Sequence, residues 1–194
     1  LVVCQVLDGL DGPIARKIDV VIHAPRVDGF TLDLIVDYLT CVVVPVALLI
    51  RLELLPREFQ TLIAGLILLM SALWFARTDI ETEDHWFNGF PAAWNLVIPT
   101  FLILGTRESY VIMIIVLLSF LSLTKLKFPH LVKVEYLRPI TWTLAVIYFV
   151  ALTIMSAQYP NGPSSLKPIL VLFPIYIFGI SILHSWKVRQ SSVE

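Results

Sequence analysis

Asp8 and Asp11 stand three residues apart in DGLDGPIAR (8–16), and Asp33 and Asp37 stand four apart in GFTLDLIVD (29–37). Spacings of three and four place each pair on one face of a helix. Two such helices packed together bring four carboxylates to one pocket, an all-oxygen donor set that suits Mg²⁺ or Mn²⁺ rather than zinc. Gly9, Gly12, Ala15 and Gly29 leave the backbone open on the same side, with room for a flat or bulky ligand to approach. Asp19 and Asp28 lack this company and read as solvated loop acids near a membrane surface.

The elements that must hold these acids are apolar. The 194 residues are 58% hydrophobic and only 15% charged, with a mean hydropathy of +0.85. A soluble domain is closer to a quarter charged. The excess is too large for one core, so the chain reads as an all-α, polytopic integral membrane bundle. Ionisable groups in or beside membrane helices are costly unless paired or metal-bound, which makes the four carboxylates functional candidates. A net charge of −1 with no basic stripe excludes a nucleic-acid partner. Cys4 and Cys41 lie in apolar runs without metal-ligand spacing and read as buried, reduced thiols.

Apolar segments fall at 32–51, 59–76, 92–106, 109–124, 139–157 and 168–186. They predict about six complete transmembrane helices. The run at 1–15 reads as the end of a truncated helix, with at least one helix expected upstream, and residues 1–194 as a single domain. The runs at 92–106 and 109–124 are separated by a short polar link and can form two short helices in a tight hairpin. Pro45, Pro99 and Pro174 lie within runs, where membrane helices tolerate kinks. Placing the 16–31 loop in the cytoplasm puts ten Lys and Arg residues on that side and four on the other, a positive-inside bias. It also puts the acids, the 78–95 loop and the 125–139 loop on one side, with the YPNGP turn (159–163) opposite.

The pattern D-x2-D-G-x2-A-R, a spacer, then G-x3-D-x3-D resembles the signature of the CDP-alcohol phosphatidyltransferase family, here Asp8, Asp11, Gly12, Ala15, Arg16, Gly29, Asp33 and Asp37. The spacer of twelve residues, 17–28, is longer than the family's usual link. Together with HWFNGFPAAWN (85–95), it resembles the bacterial branch of the family that uses choline. The resemblance implies a metal-dependent transferase that moves a phosphatidyl group from CDP-diacylglycerol to choline and releases CMP. It implies two Mg²⁺ or Mn²⁺ ions held by Asp8, Asp11 and Asp33, with Asp37 also at the site as general base. It further implies that Gly12, Ala15 and Gly29 line the cytidine site and that Arg16 orders the loop or a phosphate. A bacterial inner-membrane location and a homodimer rest on the resemblance alone. Serine or another alcohol as acceptor is the nearest alternative, and a cation transporter the remote one.

Choline carries a quaternary ammonium, which aromatic faces and diffuse negative charge recognise. Trp86, Phe87 and Trp94, with Glu81, Glu83 and Asp84, offer such groups; an interfacial aromatic belt explains the same rings. Lys125, Lys127 and Lys133 read as positive-inside anchors, whereas Arg138, at a helix start, is a candidate for a lipid phosphate. Among the histidines, His85 beside the acidic loop is the one candidate worth testing.

Overall fold

The computed structural model describes residues 25–131, 133–135 and 138–191, together with Cys4, Ile14, Ala15, Lys17, Asp19 and His23. Each of the six apolar segments from residue 32 onward is helical. Helix α1 spans Gly29–Arg51, α2 Arg57–Phe75, α3 Trp94–Leu104, α4 Glu108–Leu121, α5 Arg138–Ala157 and α6 Lys167–Ser191. Four of them, α1, α2, α5 and α6, are long and apolar enough to cross a membrane.

The expectation of about six complete spans is therefore corrected to four among the described residues. At about 1.5 Å per residue, α3 and α4 are roughly 16 and 21 Å long, against a hydrocarbon core of about 30 Å. Their limits are written in the backbone. Ala92, just before α3, has φ +50°, and Gly105 ends the helix in the left-handed region at φ +62°. Thr106 N donates to Phe101 O and Gly105 N to Leu102 O, the paired bonds of a Schellman stop. The hairpin nevertheless returns the chain to the side it came from.

That return is visible in a two-stranded antiparallel ribbon. Strand β1, Trp86–Asn88, pairs with β2, Lys127–Pro129, in the register Trp86 to Pro129, Phe87 to Phe128 and Asn88 to Lys127. The two loops expected on one side of the membrane are thus hydrogen-bonded to each other. The main core lies between α2, α3, α4 and the second half of α1, with Leu49, Ile67, Trp94, Val111 and Ile115 buried within it. A second cluster joins α5 and α6 through Tyr148, Leu152 and Leu170. Cys41 and Cys4, expected to be buried, are both half-buried.

Helix α1 starts at Asp28, whose side chain accepts from Phe30 N and from the Thr31 hydroxyl. This is an N-cap satisfying an otherwise orphaned donor, and the Thr31 hydrogen bond holds the Asp28 carboxyl below its usual range. A residue read as a loop acid thus defines where the carboxylate helix begins. Residues Leu39–Val43 of the same helix are π-helical. Pro45, two residues on, has no N–H to give the Cys41 carbonyl, which removes one α-helical bond at that turn. The Thr40 hydroxyl donates to Val36 O at 3.0 Å within the altered turn.

Candidate active site

Asp33 and Asp37 share the first half of α1 as the spacing predicts, Asp33 exposed and Asp37 half-buried. One carboxylate oxygen of Asp37 is shielded from solvent. Tyr38, the next residue, donates its hydroxyl to Leu68 O of α2 at 3.0 Å and meets Phe75 edge-on. Gly29 heads the helix, and a Cβ there would meet nothing within 4 Å. Packing among the described residues does not explain that glycine. Ala15 is half-buried. Asp8, Asp11, Gly12 and Arg16 lie outside the described residues, so the convergence of the two carboxylate pairs lies there too. Among the described residues no three His, Cys, Asp or Glu side chains gather as a metal ion needs. Asp33 and Asp37 supply hard oxygen donors on one face, which fits Mg²⁺ or Mn²⁺ as half of a donor set.

The second stretch singled out by sequence, 85–95, folds as a polar platform over the ends of α2, α4 and α6. Asn88, only 7% exposed, is its centre. Its Nδ2 donates to Asp79 O at 2.6 Å, its Oδ1 accepts from Lys127 Nζ at 2.7 Å, and its carbonyl accepts from Trp74 Nε1 at 2.9 Å. Gly89 follows at φ +84°, where a Cβ would lie 2.2 Å from the Ser122 carbonyl oxygen. Arg77 grips the end of α4 from below, donating to Ser122 O and Thr124 O while its other nitrogens bind Asp79. The Asp79 hydrogen bond raises the Arg77 pKa, and the reciprocal bond lowers that of Asp79.

The aromatic and acidic side chains expected around choline are distributed differently from an open cage. Trp94 is 0% exposed and donates its Nε1 to Ser71 Oγ at 2.9 Å. Trp86 is 1% exposed and lies flat on the His184 ring, centroids 3.8 Å apart. Both indoles are packing residues, because their faces are covered by neighbours. Phe87 is half-buried, stacked on His130 and edge-on to Trp74. Glu81 binds His85 Nδ1 at 2.7 Å and Lys133 Nζ at 3.1 Å, and Asp84 binds His184 Nε2 at 3.1 Å. Burial opposes ionisation of Glu81, but its His85 and Lys133 partners outweigh it and hold the carboxyl below its usual range. Glu83 is exposed. Glu81, Glu83, Asp84 and Lys127 line an open depression of about 520 Å³.

Sequence reading missed the pairings that matter here. Lys133 reads as an anchor and binds Glu81 across 52 residues; His184 shows no motif and meets Asp84 across 100. No local pattern reports such partners. Burial lowers the pKa of Lys127, despite the carboxylates of Asp84 and Asp79 nearby. Arg138 is exposed at the first position of α5, as the helix-start expectation had it.

No family-level sequence model matches the chain. A protein of Pseudomonas aeruginosa named phosphatidylcholine synthase is 33% identical over 179 residues, covering 92% of this chain and 75% of the relative. Its namesake in Borreliella burgdorferi is 31% identical over 191 residues, covering 97% and 82%. The one in Agrobacterium fabrum is 33% identical over 142 residues, covering 73% of this chain and 59% of the relative. Matches at this level cover almost the whole chain, and on that ground this helical membrane protein belongs to the phosphatidylcholine synthase family.

Proposed function

We propose that the protein transfers the phosphatidyl group of CDP-diacylglycerol to choline and releases CMP. The observation that carries the reading is the match, over 92% and 97% of the chain, to proteins named for making phosphatidylcholine. The half of the carboxylate set on α1 supports it, with an oxygen donor face and an open Gly29 beside it.

On this reading Asp8, Asp11 and Asp33 would hold two Mg²⁺ or Mn²⁺ ions with Asp37 beside them, and the ions when bound would neutralise charge on the diphosphate. Asp37 accepts the proton of the choline hydroxyl as its oxygen attacks the phosphatidyl phosphorus. The bond from that phosphorus to the CMP oxygen breaks, and CMP leaves with the electron pair. Most of the rate comes from positioning and charge neutralisation. Gly12, Ala15 and Gly29 give the cytidine clearance, while Arg16 and Arg138 meet phosphate oxygens. For choline, the geometry favours the exposed Glu83, with Phe87 and Asp84 at the platform edge, over the buried indoles. The protein works in a bacterial inner membrane, as a homodimer by the resemblance, with the carboxylates facing the cytoplasm. Supporting that side, Arg77, Lys125, Lys127, Lys133 and Lys187 gather at the platform end.

The test is direct. Purified protein is supplied with CDP-diacylglycerol, Mn²⁺ and either choline or serine, and the lipid product is identified. Phosphatidylcholine and CMP are expected with choline. Product with serine alone overturns the acceptor, and no CMP with either overturns the reaction.

A further inference from the structure

We propose that the π-helical turn Leu39–Val43 is a rotational adaptor that aims the carboxylate half of α1 into the bundle, and that Tyr38 is a positioning residue for Asp37. The assignment of Asp37 to the reaction rests on the function proposed above; the rotation itself rests on burial. Upstream of the turn the inward residues are Leu34, Asp37 and Tyr38, all half-buried. Downstream they are Val42, Pro45, Val46 and Leu49, all buried.

An uninterrupted α-helix advances about 100° per residue. In such a helix the downstream inward face would point roughly 80° away from the upstream one, and Asp37 would sit roughly 130° from the core direction. A single-turn π segment accommodates one extra residue and turns the downstream half back by about 100°. The two inward faces then agree within about 20°, and Asp37 comes to about 30° from the core direction. The observed burial follows the second pattern.

Three features hold the adaptor. Val44 N donates to Leu39 O, the bond that closes the wide turn. The Thr40 hydroxyl donates to Val36 O at 3.0 Å. Tyr38 Oη donates to Leu68 O at 3.0 Å, tying the last α-helical residue to α2. That tie fixes the azimuth of the turn at the residue next to Asp37. A hydroxyl that only stabilised the bundle would do as well elsewhere, and Tyr148 provides the comparison: its hydroxyl pairs with Thr100 at 3.2 Å between α5 and α3.

The experiment compares full-length wild type with Tyr38→Phe, Tyr148→Phe, Thr40→Ala and a deletion of Thr40. CMP release, Mn²⁺ affinity by electron paramagnetic resonance, and Tm are read on each. Misdirected catalytic groups cost on the order of a hundredfold in rate. The deletion, which removes the extra residue, is expected to lose about that much and to bind Mn²⁺ more weakly, while Thr40→Ala keeps the count, gives up only the bond to Val36 O, and loses about threefold or less. Tyr38→Phe should lower kcat about tenfold with each KM within about twofold. Tyr148→Phe should lower Tm comparably and leave kcat unchanged. Equal kcat in the two phenylalanine variants, or a folded deletion variant with wild-type turnover and Mn²⁺ affinity, overturns the proposal. Should the deletion not fold, the phenylalanine pair decides. Wild type that binds Mn²⁺ but releases no CMP sinks the proposed reaction and leaves the adaptor to be judged on Mn²⁺ affinity; wild type that does neither sinks both.

Discussion

On the proposed reaction Asp37 contributes chemistry, whereas Gly89 contributes shape. Asp37 is half-buried, yet it sits on a helix face shared with exposed Asp33. A general base contributes about 10²–10⁴-fold. Asp37→Asn keeps the size and polarity, so CMP release should fall by about that factor while retention of radiolabelled CDP-diacylglycerol stays largely intact. Near-normal turnover would remove Asp37 from the base role. Gly89 admits no side chain: its φ is +84°, and a Cβ would strike the Ser122 carbonyl. Gly89→Ala should cost about 3 kcal/mol, a fall of roughly 10 °C in Tm for a chain of this size. A detergent-stable variant with unchanged Tm would contradict the packing described for the platform. The shared helix of Asp33 and Asp37 was legible because their spacing is that of one helix face. The burial of Trp86 and Trp94 was not, because an aromatic residue near a loop reads the same whether it binds a cation, meets lipid or fills a core.

The helices follow the apolar runs closely, since a backbone in lipid must satisfy its own hydrogen bonds. What the runs conceal is where they stop and turn. The left-handed Gly105 shortens α3, and of the π-helical turn the sequence carries only Pro45, which predicts a kink and not an added residue. The platform is the element most exposed to pH. His130, the residue after β2, stacks on Phe87 and sits near Lys133, Glu81 and His85. Burial is the main cause of its lowered pKa, with Lys133 adding to it and Glu81 opposing. A lowered histidine pKa favours the neutral ring in the folded state. Its stabilising effect is complete above the ordinary imidazole value of 6.5 and falls as pH drops below it. Glu81 and Asp84 also have lowered pKa values, so their contribution is lost later, as acid drives them through values below the usual carboxylate range. Thermal unfolding measured from about pH 8 to about pH 3 should therefore show Tm declining first below the imidazole range and again in stronger acid. In His130→Phe that first decline should shrink while the loss in stronger acid remains. An identical profile in the variant would assign the acid sensitivity elsewhere.

Across the whole molecule, sidedness joins the chemistry to the membrane. Helix α1 leaves the platform end at Gly29, and α2 returns at Phe75. The α3–α4 hairpin comes back to meet β1 through β2, α5 leaves again, and α6 returns with His184 against Asp84. The platform and the start of α1 thus share one side, while Glu53 and Gln158 lie in exposed turns on the other. The excess of Lys and Arg at the platform end sets it in the cytoplasm on the proposed orientation. Single cysteines in a background lacking Cys4 and Cys41 can test this with a membrane-impermeant maleimide. Glu53→Cys and Gln158→Cys should react in intact spheroplasts, whereas Glu83→Cys and Glu135→Cys should react only after lysis. Thr106→Cys, in the turn of a hairpin whose arms are roughly 16 and 21 Å long, falls short of a core about 30 Å thick. It should react more slowly than Glu53→Cys in both preparations. Labelling of Glu83→Cys in intact spheroplasts would invert the orientation and put the carboxylates on the wrong side for a cytoplasmic nucleotide. Labelling of Glu83→Cys and Glu135→Cys from opposite sides would break the ribbon that joins the two loops, and with it the fold.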